Sequence, residues 1–215
     1  MEKWSDTAWQ AAAPVYEEIL RHPFLQHLAD GTLPLEKFRF YLRQDALYLD
    51  NYSRVLAHIA SRLSDKSHSS DFVRFAQDGI NVEKAMHATF LNGALPDKSE
   101  MGPACMLYTS VQSAQATAPV ETEAASVLPC FWVYQRVGQE ILKRSVPGNP
   151  YRQWIDTYAD PLFEQSTLRA IEICDCLAAQ TGSNTIAAMT DIFTLCTRME
   201  WLFWDSAWNL EKWKI

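Results

Sequence analysis

The way this chain is punctuated limits its fold more than any single motif does. Only seven glycines and ten prolines interrupt 215 residues, and most stand between stretches whose apolar residues recur at helical spacing. No stretch alternates apolar and polar residues in the manner of strands joined by tight turns. An all-α protein is therefore predicted. With 48% hydrophobic residues a chain of this length buries a full core, and residues 1–215 read as a single domain.

The helices are placed by their breakers. One amphipathic helix is predicted over 5–21, with Ser5 as its cap and a kink at Pro14. His22-Pro23 restarts a short helix ending near Gly31, and Pro34 opens a long one through about Leu63. Further helices are predicted from about Ser70 to Leu91 with an interruption at Gly79, from Gly102-Pro103 to about Ala118, and over 121–145 with a break or bend at Pro129. Leu95-Pro96 begins a loop, and Pro147-Gly148-Asn149-Pro150 stops the sixth helix. A short segment then carries Tyr151, Trp154, Ile155 and Tyr158. Asp160-Pro161 starts a helix to about Gln180, and the last spans about 185–210.

Composition narrows the function classes. A net charge of −7 argues against nucleic acid or an anionic membrane as partner, since both require a basic face. Glu2 and Asp6 interrupt the start where a leader would be basic and then apolar. No apolar run approaches the length that spans a bilayer, so a soluble, cytoplasmic protein is expected. Five cysteines at irregular spacing make no disulfide framework and fit a reducing compartment. Cys174 and Cys176 would point roughly 200° apart on a helix, and the five histidines form no zinc pattern. No metal and no cofactor is expected.

Three constellations carry chemistry. If Pro129 breaks its helix, Cys130 falls in the first turn of a new one, where free N–H groups and the helix dipole favour a thiolate. The competing reading is a packed thiol, since Cys is among the most buried residue types. Tyr134 follows at helical spacing on the same face. On the long helix, Tyr41, Asp45, Tyr48 and Tyr52 share one face. Phenols and a carboxylate there line either a ligand pocket or a wetted surface. On the last helix, Glu200 shares a face with Phe203 and Trp204. Desolvation by those rings should raise its pKa toward that of a general acid, unless it is a surface carboxylate beside an aromatic interface.

Taken together these blocks resemble one family. Tyr41-Leu-Arg-Gln-Asp45-Ala-Leu-Tyr48-Leu, Tyr108-Thr109, Leu128-Pro-Cys130-Phe-Trp-Val-Tyr134, Tyr151 with Trp154 and Tyr158, and Glu200 with Phe203-Trp-Asp205 occur in order along almost the whole chain. They are similar to the TenA, or thiaminase II, family, in its cysteine-containing branch. The family block often has Pro after the Cys, where Phe131 stands here. The resemblance implies a haem-oxygenase-like helical bundle, assembled as a homotetramer. It implies hydrolysis of 4-amino-5-aminomethyl-2-methylpyrimidine to the hydroxymethyl compound in thiamin salvage, with slower cleavage of thiamin. Position by position, it implies Cys130 as nucleophile, Glu200 as acid/base and Asp45 on the aminopyrimidine edge. Tyr48, Tyr108, Tyr134, Tyr158 and Phe203 then line the pocket.

A second class of function stays open on sequence: a thiamin- or pyrimidine-binding helical protein that acts through partners, with Cys130 a packed thiol. Reactivity of Cys130 toward a thiol reagent near neutral pH separates the two.

Overall fold

The computed structural model describes residues 3–90 and 96–215, with the backbone alone over 80–90. The described residues form nine α-helices and two short 3-10 turns, with no strand. The helices are α1 (Trp4–Arg21), α2 (Pro23–Asp30), α3 (Leu35–Arg62), α4 (Lys66–Phe90), α5 (Pro103–Ser113), α6 (Val120–Arg144), α7 (Arg152–Ala159), α8 (Pro161–Ala178) and α9 (Ser183–Asn209). The expected helix end at Leu91 and the loop start at Leu95 lie outside the described residues. No helix among the described residues is long and apolar enough to cross a membrane.

Most expected boundaries recur with identifiable causes. Gly31 ends α2 in the left-handed conformation (φ 77°), which glycine adopts without strain. Asp160 caps α8 by accepting from the Leu162 N–H. Ser5, by contrast, is not a cap. The helix already starts at Trp4, and both the N–H and hydroxyl of Ser5 donate to Asp175 at 2.8 and 3.0 Å, tying α1 to α8. The last expected turn of α5 tightens into a 3-10 turn over Ala114–Thr117.

Neither Gly79 of α4 nor Pro129 of α6 breaks its helix, and Pro14 too stands inside one, α1. A proline inside a helix leaves the carbonyl four residues earlier without its usual partner. Pro14 is exposed, so that carbonyl lies on the watery side of α1. Pro129 is buried, and donors from neighbouring helices reach this stretch of α6. The Tyr52 hydroxyl donates to the Val127 carbonyl at 2.9 Å, and the Gln112 amide to the Ser126 carbonyl at 3.2 Å. Tertiary hydrogen bonds thus hold the turn of α6 that leads into Pro129, where local sequence predicts a break or a bend.

The core lies where α3, α6 and α9 pack together, closed by α5 on one side and α7 and α8 on the other. Trp154, Trp204 and Phe193 are wholly buried there, each contributing about 1.5–3 kcal/mol of apolar burial. One close approach sets the spacing of α6 and α7. A side chain added at Gly138 would stand 2.6–2.8 Å from the backbone and Cβ of Tyr158. Only a residue without Cβ lets α7 lie this near.

Candidate functional site

All eight residues singled out in the sequence come to one region between α3, α5, α6, α7 and α9. Asp45, Tyr48, Tyr108, Tyr134, Tyr158, Glu200 and Phe203 are buried, and Cys130 is partly buried. Their rings form a continuous wall. Tyr48 lies 4.7 Å from Tyr108 and 5.8 Å from Phe203, and Tyr134 lies 4.8 Å from Tyr158, centroid to centroid. Tyr41 joins the wall from below, donating to the Tyr134 hydroxyl at 3.3 Å and receiving from Trp154 Nε1 at 3.4 Å. The tyrosine face of α3 is therefore an interior lining and not a wetted surface.

Glu200 is the electrostatic centre of this region. It is 1% exposed, and the Tyr108 hydroxyl donates to its Oε1 at 2.7 Å. Desolvation pushes its pKa up to about 8. The Tyr108 bond pulls the other way, and the nearby Asp45 charge adds to the rise. At neutral pH Glu200 is thus mostly a protonated carboxylic acid, as its aromatic neighbours on α9 predict. Burial also holds the surrounding tyrosines as neutral phenols, their pKa values well above the ordinary range.

Cys130 departs from expectation. Because α6 continues through Pro129, Cys130 sits mid-helix and not at a helix start. The free N–H groups and dipole that would lower its pKa are missing. Desolvation instead pushes the thiol well above its ordinary value, and the charges of Glu200 and Asp45 push the same way. Hydrogen bonds from Tyr48 and Tyr52 partly oppose this. The resting thiol is neutral.

Cys130 meets solvent at a narrow cleft of about 80 Å³, shared with Tyr52, Phe75, Phe131, Tyr158 and Phe163. Asp78 and Ser166 stand at the same cleft. Phe131 stacks on Phe163 at 6.4 Å and meets Phe75 edge-on at 5.1 Å, centroid to centroid. It therefore serves as part of the entrance. A larger groove of about 700 Å³ lies between α3 and residues 210–213. Arg39, Arg43 and Glu36 line it at the surface, and it contains neither Cys130 nor Glu200. Volume alone does not locate the chemistry.

Sequence reasoning passed over Gln112. It lies one turn beyond Tyr108 on α5, wholly buried, and its Nε2 donates to the Tyr48 hydroxyl at 3.0 Å. The i, i+4 pairing with Tyr108 was the available signal.

Comparison with known proteins decides the family. The model of the TENA/THI-4/PQQC family matches residues 9–210. The chain belongs to this family. An "Aminopyrimidine aminohydrolase" from Bacillus subtilis is 31% identical over 98% of this chain and 92% of its own length. A "Thiamine biosynthesis multifunctional protein ThiED" from Corynebacterium efficiens is 37% identical over 90% of this chain. The chain spans 28% of that longer protein. A solved TenA homologue from P. horikoshii OT3 is 25% identical, superposes with a TM-score of 0.81, and is covered over 97% of this chain and 99% of its own. The all-α, haem-oxygenase-like bundle of TenA proteins is accordingly the fold of this chain.

Proposed function

We propose that this TenA-family chain is an aminopyrimidine aminohydrolase of thiamin salvage. It converts 4-amino-5-aminomethyl-2-methylpyrimidine and water to the hydroxymethyl pyrimidine and ammonia, and cleaves thiamin more slowly. The observation that carries this reading is a buried Glu200, bonded by the Tyr108 hydroxyl at 2.7 Å, raised by desolvation to a pKa of about 8 and near enough to the Cys130 thiol for the two to interact electrostatically. Relatives named aminopyrimidine aminohydrolase at about this length support it. The family's tetrameric assembly is part of the same proposal.

The residues suggest the following steps. A flat, electron-poor ring enters between the aromatic walls. Asp45 accepts from the ring's amino edge, a charge-assisted bond worth about 1.5–3 kcal/mol. Glu200 delivers its proton to a ring nitrogen, making the ring carbon electrophilic. The Cys130 sulfur bonds to that carbon as the thiol proton passes to the substrate's exocyclic amine. The C–N bond then breaks, ammonia leaves, and an exocyclic methylene remains. Water adds to the methylene and gives a proton back to sulfur as the C–S bond breaks. The ring nitrogen returns its proton to Glu200, so both residues end as they began. A neutral resting thiol suits this sequence, because the substrate itself brings the base.

The test is ammonia release from the aminomethyl pyrimidine, run beside thiamin, for wild type and Cys130→Ala. We expect at least a thousandfold loss in Cys130→Ala with an unchanged circular dichroism spectrum. Full activity in that variant sinks the nucleophile assignment. No turnover by wild type, with tight pyrimidine binding retained, points instead to a binding protein acting through partners.

A further inference from the structure

We propose that Gln112 is a positioning residue of this site: its amide fixes the Tyr48 hydroxyl in the orientation that donates toward the reacting sulfur of Cys130. This inference rests on the reading of Cys130 as nucleophile.

The argument runs through hydrogen direction. Gln112 Nε2 lies 3.2 Å from the Ser126 carbonyl and 3.0 Å from the Tyr48 hydroxyl. A main-chain carbonyl can only accept, so the amide must present nitrogen and not oxygen to Ser126. The second N–H of that nitrogen then points at Tyr48, whose oxygen receives it. The Tyr48 hydrogen is left to leave on another side. The acceptors in reach there are the Cys130 sulfur and the Tyr108 oxygen.

The neighbouring phenols cannot substitute for it. Tyr52 also borders Cys130, but in this structure its hydrogen goes to the Val127 carbonyl at 2.9 Å, a bond it would have to give up to donate to sulfur. Tyr108 spends its hydrogen on Glu200. Among these three hydroxyls, Tyr48 is the one free to stabilise a thiolate. The arrangement carries a penalty elsewhere: Gln112 Oε1 is buried with no hydrogen-bond partner among the described residues. A glutamine kept in that orientation at such a cost fits a role in aiming Tyr48 rather than one in stability.

The thiol titrates among several other groups. Asp45, Tyr48 and Tyr52 face it from α3, Tyr108 from α5, Tyr158 from α7 and Glu200 from α9. Asp78 of α4 stands in the same cleft. Gln112 carries no charge, so its removal reaches the sulfur through the Tyr48 hydroxyl or through the Ser126 carbonyl of α6, and the double variant with Tyr48→Phe separates the two routes.

The experiment measures iodoacetamide labelling of Cys130 against pH, followed at the peptide level, together with kcat and KM for the aminomethyl pyrimidine. Wild type, Gln112→Met, Tyr48→Phe and the double variant are compared. In Gln112→Met, labelling should move about one pH unit higher and kcat should fall about 10- to 100-fold, with KM unchanged. The double variant should match Tyr48→Phe, because Gln112 works through that hydroxyl. Additive losses, or a labelling profile that superimposes on wild type, overturn the proposal. If Gln112→Met does not fold, Tyr48→Phe decides: an unmoved labelling profile there overturns it equally. Activity retained by Cys130→Ala would instead remove the underlying reading, whatever Gln112 does.

Discussion

Two glutamates in this molecule are equally buried and differently employed. Glu123 and Glu200 are each 1% exposed. Glu123, in the first turn of α6, meets Arg62 at 2.5 Å and His58 at 2.7 Å. Arg62 also donates to the Ala118 carbonyl, so the pair ties α3 to the start of α6. Glu200 has a phenol where Glu123 has a guanidinium and an imidazole. A buried carboxylate given a cation stays charged and fastens helices. One given only a weakly acidic hydroxyl holds its proton and can hand it on. The difference lies in the partner and not in the depth of burial.

That contrast can be broken at either end. The largest effect is expected for Glu200→Gln, which should reduce pyrimidine hydrolysis at least a thousandfold while keeping the fold. The same variant sharpens the electrostatic half. A carboxyl whose folded pKa is about 8 against an ordinary 4.5 binds more protons in the folded state than in the unfolded state across that window. Its contribution to wild-type stability therefore falls by about 1.4 kcal/mol per pH unit between those values and levels off above 8. Urea denaturation of wild type against Glu200→Gln at pH 5, 6.5 and 8 should show the variant gaining on wild type as pH rises. A constant difference would mean that Glu200 is ionised in the folded protein.

A smaller effect is expected at the other glutamate. Arg62→Met leaves Glu123 with a half-exposed histidine alone, and should cost about 3 kcal/mol of folding stability. Turnover per folded molecule should stay within about twofold of wild type; a large loss there would show that the two carboxylates are coupled. Smallest is Tyr108→Phe. Removing the bond that lowers the Glu200 pKa should shift the alkaline fall of kcat upward by less than about one pH unit. A shift downward would show that Tyr108 favours the protonated acid.

The fold was largely legible because its signals are local. Gly31 and Asp160 end and start helices through their own backbone and side-chain chemistry, and the sequence carries both plainly. Pro129 misleads for the opposite reason. Whether a proline cuts a helix depends on what packs against that turn, and here Tyr52 and Gln112 arrive from 75 and 14 residues away in the chain to bond the Val127 and Ser126 carbonyls. Of the two readings of the thiol, the thiolate-favouring one required a helix start that does not exist. Glu200 was legible because its desolvating rings stand on its own helix. Gln112 was not, because an amide's importance comes from the direction of its hydrogens, which only the packed partners define.

Gly138 has one more consequence. Where α7 rests on α6, main chain meets the absent side chain, and Tyr158 is carried on that contact. This wall of the pocket is therefore a fixed boundary, while the opposite walls are made of exchangeable rings. Variants that admit bulkier heterocycles are to be sought at Phe131 or Phe163, whose side chains can be trimmed, and not along the seam between α6 and α7, which has nothing left to remove.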